Sequence, residues 1–103
     1  MKDIANLQKM LKTAKEMQEK LQRELAELRV EGTSGGGMVT ITLDGQKNVQ
    51  AIRIEPEVVS RDDIEMLQDL LIAAFNDAAA KVDETVTQKL GNLSGGFKIP
   101  GLF

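Results

Sequence analysis

The stretch GTSGGGMVTITLDG, residues 32–45, contains the change from a helical to a strand period in this chain. From Val39 to Leu43 apolar and polar residues alternate, which is typical of a half-buried β-strand. The glycine run does not fit a phosphate-binding loop, because such loops open a helix and need a following Lys or a Gly-x-Gly-x-x-Gly spacing. The remaining explanations for the glycine run are a tight turn between strands and a close dimer contact. This role is assigned to Gly35, Gly36 and Gly37.

Two further strands are predicted around this segment. A turn at residues 44–48 leads into VQAIRIE, residues 49–55, whose two isoleucines share one face. Val49 and Ala51 are out of phase with these isoleucines, which allows a β-bulge. The segment just before the glycines is a candidate for another short strand. Three strands are therefore expected within about 28–55.

Residues 3–29 predict one long amphipathic helix. Apolar residues recur at alternating spacings of three and four, which makes a heptad seam of almost four repeats with Gln18 as its polar member. No Gly or Pro interrupts the segment. The seam consists of Ile4, Leu7, Leu11, Ala14, Leu21, Leu25 and Leu28.

Residues 61–90 predict a second long helix with the same spacing of apolar residues. Ser60, followed by the acidic Asp63, is the predicted N-cap. Gly91 is the predicted first residue after the helix. Residues 91–103 form a Gly-rich tail that we expect to be flexible, although its apolar side chains could dock onto a partner.

The two helices are too long for the predicted sheet to cover. Each helix is on the order of 40 Å long, whereas a strand of five or six residues covers about 20 Å. We expect the uncovered stripes to pack in a homodimer, in which the sheets unite and the helices project as arms. The residues predicted for the core or the dimer contact are Leu7, Leu11, Leu21, Val39, Ile41, Leu67, Leu71 and Phe75.

The composition predicts one soluble domain, residues 1–90, that is not an enzyme. The 103 residues include no Cys and no His, so the thiol nucleophile, the usual general base and the commonest metal ligands are missing. We expect no catalytic residue, metal, cofactor or small-molecule substrate. No apolar run approaches the roughly 20 residues of a membrane span. We therefore expect no membrane partner and a cytoplasmic location.

Charge is distributed unevenly along this chain, whose net charge is −3. Residues 1–15 carry four lysines and one aspartate, a net charge of +3, whereas residues 31–103 carry a net charge of −5. Because a polyanion responds to the local field, the N-terminal lysines are a candidate phosphate-binding surface. The alternative is a solvated helix face. These lysines are Lys2, Lys9, Lys12 and Lys15.

Four segments together resemble the YbaB/EbfC family of nucleoid-associated proteins over essentially the whole chain. They are LQKMLKTAKEMQEKLQ, GTSGGGMVTITLDG, IRIEPEVV and DIEMLQDLLIAAFNDAAAKVDE, and the tail ending in PGLF is also similar. The resemblance implies an α/β (α+β) fold, helix–three antiparallel strands–helix, in an intertwined homodimer whose helices protrude like tweezers. It also implies binding of double-stranded DNA in the nucleoid, with little or modest sequence preference, through the helical arms.

We therefore predict phosphate contacts that alter DNA conformation and gene expression. The second helix is acidic, which is unfavourable for strong binding to DNA. The alternative function is a homodimeric protein–protein adaptor that uses this helix or the apolar tail. Lys81 and Lys89 could extend the basic surface. Their positions are equally explained by the favourable interaction of positive charge with a helix C-terminus. The candidate DNA-binding residues are Lys2, Lys9, Lys12, Lys15, Lys20, Arg23, Lys81 and Lys89.

Overall fold

The computed structural model describes residues 2–93 and the side chains of residues 3–91. The elements are α1 Lys2–Glu27, β1 Val30–Ser34, β2 Val39–Leu43, β3 Val49–Ile54 and α2 Ile64–Leu93, with 3₁₀ turns at Gly35–Gly37 and Pro56–Val58. The predicted fold class, α+β in the order helix–three antiparallel strands–helix, is confirmed. From residue 94 onwards the predicted tail lies outside the described residues.

The three strands form one antiparallel sheet in the order β1-β2-β3. Between β2 and β3, Thr42 lies opposite Ala51 but Leu43 lies opposite Val49, so Gln50 is the extra residue of a bulge. This bulge explains why the apolar residues of β3 change phase, and the prediction of a bulge is confirmed. The alternation along β2 puts its apolar residues on the face that meets α2.

The core lies between this face of the sheet and α2. Val39 and Leu43 on β2 and Ala78 on α2 are each 0% exposed. Burial of a side chain the size of Leu43 is worth roughly 1.5–3 kcal/mol. Gly32 of β1 lies directly against the backbone of α2, because a Cβ at this position would overlap Ala78 N and Ala74 O. Small residues on both sides therefore let the helix lie close to the sheet.

The start of α2 differs from the prediction. Asp63, and not Ser60, is the N-cap, because its Oδ1 accepts the backbone N–H of Met66 at 3.1 Å. The hydroxyl of Ser60 instead accepts the N–H of Asp62 at 3.3 Å, within the turn before the helix. The helix consequently begins at Ile64, three residues after the predicted start.

The C-terminal ends of both helices also differ from the prediction. The guanidinium of Arg29 donates to the carbonyl oxygens of Ala26, at 2.8 Å, and Leu28, at 2.7 Å. These bonds satisfy free carbonyls at the end of α1, which stops at Glu27. The prediction that Gly91 follows α2 is wrong: the helix continues through it to Leu93. Gly91 lacks the positive φ of a residue that ends a helix in this way.

The first helix projects away from the sheet. The molecule measures 73 × 22 × 17 Å, with a radius of gyration of 19.7 Å, whereas a compact domain of this length has about 13 Å. Every side chain from residue 3 to residue 20 is exposed. We call residues 3–20 the arm. No helix within residues 2–93 is long and apolar enough to cross a lipid bilayer.

Candidate nucleic-acid interface

The arm carries three exposed lysines on one side. Lys9, Lys12 and Lys15 follow one another at intervals of three residues, so each lies about 4.5 Å further along the helix and about 60° around it. The three ammonium groups therefore share roughly a third of the circumference. Lys2 begins α1, but its side chain lies outside the described residues.

The basic side of the arm continues toward the sheet. Lys20 and Arg23 are exposed, and helical geometry places them within about 20° and about 40° of the direction of Lys9. Lys9, Lys20 and Arg23 thus form a line of cations about 20 Å long. Glu16 and Glu19 are interleaved with this line, so the positive charge of the arm is densest between Lys9 and Lys15.

Within the described side chains, no carboxylate is paired with the lysines of the arm. Among residues 3–91 the only two ion pairs are Lys47–Asp83 and Lys81–Asp77. The ammonium groups of Lys9, Lys12 and Lys15 are therefore available to an external anion such as a phosphate.

The two lysines predicted on α2 have different surroundings. Lys81 Nζ lies 3.0 Å from Asp77 Oδ2, and Asp77 also accepts the backbone N–H of Thr33 on β1 at 2.9 Å. The N–H of Thr33 first, and Lys81 second, lower the pKa of the Asp77 carboxyl below its ordinary value. Lys89 is half-buried near the end of α2. Both residues lie on α2, which shares no extensive contact with α1.

The residues predicted for core or dimer packing fall into two groups. Val39 and Ile41 are buried, and Leu67, Leu71 and Phe75 are partly buried against them. Leu21 is half-buried at the base of α1. Leu7 and Leu11, in contrast, are 55% and 62% exposed. The chain itself therefore leaves the distal part of the heptad seam uncovered.

The predicted turn glycines connect β1 to β2. Gly35, Gly36 and Gly37 have φ angles of +60°, +69° and +94°, a region in which only glycine is unstrained. Around Gly36 and Gly37 there is also open space on the Cβ side. The backbone geometry of the connection therefore explains this run of glycines.

Sequence reasoning missed the residues at the base of α1. Gly45, in the turn between β2 and β3, donates its N–H to the carbonyl oxygen of Leu25 at 2.8 Å. Lys47 in the same turn has a φ of 66° and pairs with Asp83 of α2 at 2.9 Å. Only the Asp44-Gly45 pair signalled a turn, and nothing in the sequence indicated which helices the turn would contact.

The two edges of the sheet are unequally protected. On β1, Asp77 accepts the N–H of Thr33 and the hydroxyl of Ser34 donates to the Leu70 carbonyl at 2.6 Å, so α2 covers this edge. On β3, Val49 and Ile52 are 48% and 52% exposed beside an open edge. An exposed edge with apolar neighbours favours pairing with another strand.

Comparison with known proteins gives concordant results over nearly the whole chain. The model of the YbaB/EbfC DNA-binding family matches residues 1–97. A nucleoid-associated protein of Caldanaerobacter subterraneus subsp. tengcongensis is 48% identical over 101 residues, which are 95% of this chain and 91% of the relative. A nucleoid-associated protein of Koribacter versatilis is 44% identical over 96 residues, 93% of this chain and 95% of the relative.

A solved structure has the same fold. The crystal structure of an uncharacterized protein from Helicobacter pylori is similar with a TM-score of 0.71 and 25% identity, and the match covers 86% of this chain and 94% of that one. The family that the sequence matches is defined by DNA binding and is not an enzyme family. With the family model covering the chain almost from end to end, this protein belongs to the YbaB/EbfC DNA-binding family.

Proposed function

We propose that this protein is a cytoplasmic, nucleoid-associated homodimer that binds double-stranded DNA through phosphate contacts from its arms. The observation that carries the proposal is the side of the arm with Lys9, Lys12 and Lys15, which is exposed and has no paired carboxylate among residues 3–91. Family membership supports DNA as the polyanion. The names of the relatives support the nucleoid as its place.

The acidic net charge of the chain does not oppose this proposal. Charges further apart than the Debye length, about 8 Å at physiological salt, are largely screened from one another. The arm is about 27 Å long, so its distal lysines are beyond the screened reach of the acidic residues on α2. A duplex at the end of the arm therefore meets a local charge of +3 in residues 1–15.

The chemistry of the arm favours positioning on the DNA backbone over reading of bases. Lysine binds phosphates as a point charge, and such contacts contain no sequence information. The arm has no aromatic residue to stack on bases. Weak sequence preference and strong dependence on salt are the expected consequences.

Uncovered apolar surface supports the homodimer. The open edge of β3, with Val49 and Ile52 beside it, suits pairing with the same strand of a second copy. Leu7 and Leu11 of the arm and Ile72 of α2 are also more than half exposed. Sedimentation equilibrium should give twice the chain mass of 11.3 kDa. A compact single copy at micromolar concentration would contradict the dimer.

The decisive experiment is titration of a labelled random duplex at several salt concentrations. If three lysines per subunit contact phosphates, log K should fall against log salt with a slope of roughly −5, which is about a 10³-fold loss of affinity between about 50 and about 200 mM salt. Replacement of Lys9, Lys12 and Lys15 by Gln should make this slope much shallower and leave the dimer intact.

A matched control removes the same charge elsewhere. Replacement of Arg61, Lys81 and Lys89 by Gln should change affinity much less than the change in the arm. Equal losses from both triple variants would show that the contacts are spread over the surface and are not concentrated on the arm. Absence of duplex binding by the unaltered protein would overturn the function and favour the adaptor.

A further inference from the structure

A close contact joins the end of α1 to the turn after β2. Only Leu28 and Arg29 separate α1 from β1, and α1 shares no extensive contact with the other helix or the strands. Beyond this link, the N–H of Gly45 donates to the carbonyl oxygen of Leu25 at 2.8 Å. We propose that the turn of residues 44–48 is a joint that sets the direction of the arm relative to α2, with Gly45 as the positioning residue.

Gly45 permits an approach that no other residue allows. A Cβ at this position would lie 2.7 Å from the oxygen, 3.0 Å from the Cα and 3.0 Å from the Cδ2 of Leu25. Two of these atoms belong to the backbone of α1, so a rotamer change cannot relieve the overlap. A side chain at position 45 must therefore move the end of α1, the turn, or both.

The turn itself is rigid enough to act as a reference. Asp44 is only 4% exposed. Its carboxylate accepts the N–H groups of Gln46 and Asn48 at 2.8 and 3.0 Å, and the side-chain amides of Asn48 and Gln50 at 3.1 and 3.0 Å. Four donors on one carboxylate fix residues 44–50 as a unit.

The same turn also contacts the second helix. Lys47 holds a left-handed φ of 66°, and its Nζ lies 2.9 Å from Asp83 Oδ1 on α2. Gly45 thus contacts α1 while Lys47 contacts α2. Because the helices share no extensive contact with each other, the turn adds a contact to each helix beyond the chain link through β1.

A small displacement at the joint becomes a large displacement at the distal end of the arm. Leu25 is on the order of 5 Å along the helix from the link to β1, whereas residue 5 is about 35 Å away, so a displacement at Leu25 is amplified about sevenfold at the end of the arm. A shift of a few tenths of an ångström at Gly45 therefore moves the distal lysines by ångströms. For DNA binding this consequence rests on the proposed function, but the joint itself does not.

Spin-label distances in the DNA-free protein test the joint. The chain contains no Cys, so Ala5→Cys and Gln68→Cys place one label on the arm and one on α2, both at exposed positions. Labelled chain is diluted into excess unlabelled chain, so that only distances within a chain are measured. Gly45→Ala should shift the maximum of the distance distribution by several ångströms, whereas Gln46→Ala, which keeps its backbone bond to Asp44, should not.

Two results with Gly45→Ala would overturn the joint. One is a folded Gly45→Ala protein whose distribution superimposes on that of the unaltered protein. The other is an equal shift in the Gln46→Ala control. If circular dichroism shows that Gly45→Ala does not fold, Asp44→Asn decides: it removes two of the four bonds that hold the turn and should broaden the distribution, and an unchanged width contradicts the proposal.

Duplex titration then separates the joint from the function. Gly45→Ala changes no charge, so a severalfold loss of affinity would show that arm direction matters for binding. If the arm moves but the affinity is unaltered, the joint is supported and only its link to DNA binding is contradicted. Failure of the proposed function is detected independently, by the lysine variants of the arm.

Discussion

The two long helices carry similar apolar stripes, but one stripe is buried against the sheet and the other is exposed. Ala74, Ala78 and Val82 of α2 are buried against the sheet, whereas every side chain of the arm is exposed. The contact residues differ in size: α2 presents alanines to Gly32, and the arm presents a seam that is mostly leucine and isoleucine. Small residues thus mark the helix that lies on its own sheet, while periodicity alone does not say what covers a stripe.

The largest effect in this comparison is expected from Gly32→Val. A side chain at position 32 meets the backbone of Ala74 and Ala78, so α2 must move away from the sheet and open the core. The expected cost is more than about 4 kcal/mol, against a total stability of about 5–15 kcal/mol for a small domain. Urea unfolding followed by circular dichroism measures it.

Gly91→Ala is the matched control, because this glycine lies inside α2 and an added Cβ meets nothing within 4 Å. Its expected effect is a gain of roughly 0.5–1 kcal/mol from the better helix propensity of alanine. A Gly32→Val protein as stable as the unaltered one would mean that α2 does not depend on close approach to β1.

The next largest effect contrasts one leucine from each region. Leu43→Ala removes a side chain that is 0% exposed and should cost about 2–5 kcal/mol at any protein concentration. Leu11 is 62% exposed in the single chain, so Leu11→Ala should cost less than about 0.5 kcal/mol there. In the proposed dimer its cost should appear as easier dissociation.

Urea unfolding at two chain concentrations separates these costs. The deficit of Leu43→Ala should be the same at both concentrations. Leu11→Ala should become more deleterious as the dimer forms. A large deficit for Leu11→Ala that does not depend on concentration would place the seam in the core of the single chain, contrary to the structure.

The sequence predicted periodic features well and tertiary contacts poorly. The period of two from Val39 to Leu43 was sufficient to predict β2 and its apolar face. The prediction of a half-buried strand is wrong, because Thr40 on the opposite face is only 4% exposed. Two acceptors spaced three residues apart, Ser60 and Asp63, compete for one helix start, and spacing alone does not select between them. The pairing of Lys81 with Asp77 could have been found from its i,i+4 spacing.

The contacts that define the base of the arm could not be predicted in this way. Gly45 and Leu25 are 20 positions apart in sequence, and their contact depends on how the turn between β2 and β3 meets the end of α1. Likewise, the small residues Gly32, Ala74 and Ala78 signal a close approach only once the helix and strand are known to be neighbours. The candidate lysines, in contrast, follow from charge and helical spacing alone. Whether they bind DNA stays a prediction.

The smallest expected effect is a loss of stability at low pH, which arises from two carboxylates that support the sheet and α2. Hydrogen bonds from the N–H of Asn48 first, with further donors in the turn, lower the pKa of Asp44, and the N–H of Thr33 first lowers the pKa of Asp77. A carboxyl whose folded pKa is below its unfolded value of about 3.9 stabilises the fold above that value and loses this contribution as the pH falls through the folded pKa.

Thermal unfolding between about pH 3 and about pH 7 measures this dependence. The loss of stability should occur below the unfolded aspartate pKa of about 3.9. The melting temperature should fall with acid in that window, and Asp77→Asn should reduce the fall modestly because this carboxyl is partly exposed and screened by solvent. Asp44→Asn should reduce it more. It should also lower the melting temperature at neutral pH, because the amide NH2 turns two of the four accepted bonds at the turn into clashes of donors. Both carboxylates support the sheet, the turn and α2, and neither contacts the arm. If both variants kept the full acid dependence of the unaltered protein, these two carboxylates would not be its source, and the acid-sensitive contacts would have to lie elsewhere in the molecule.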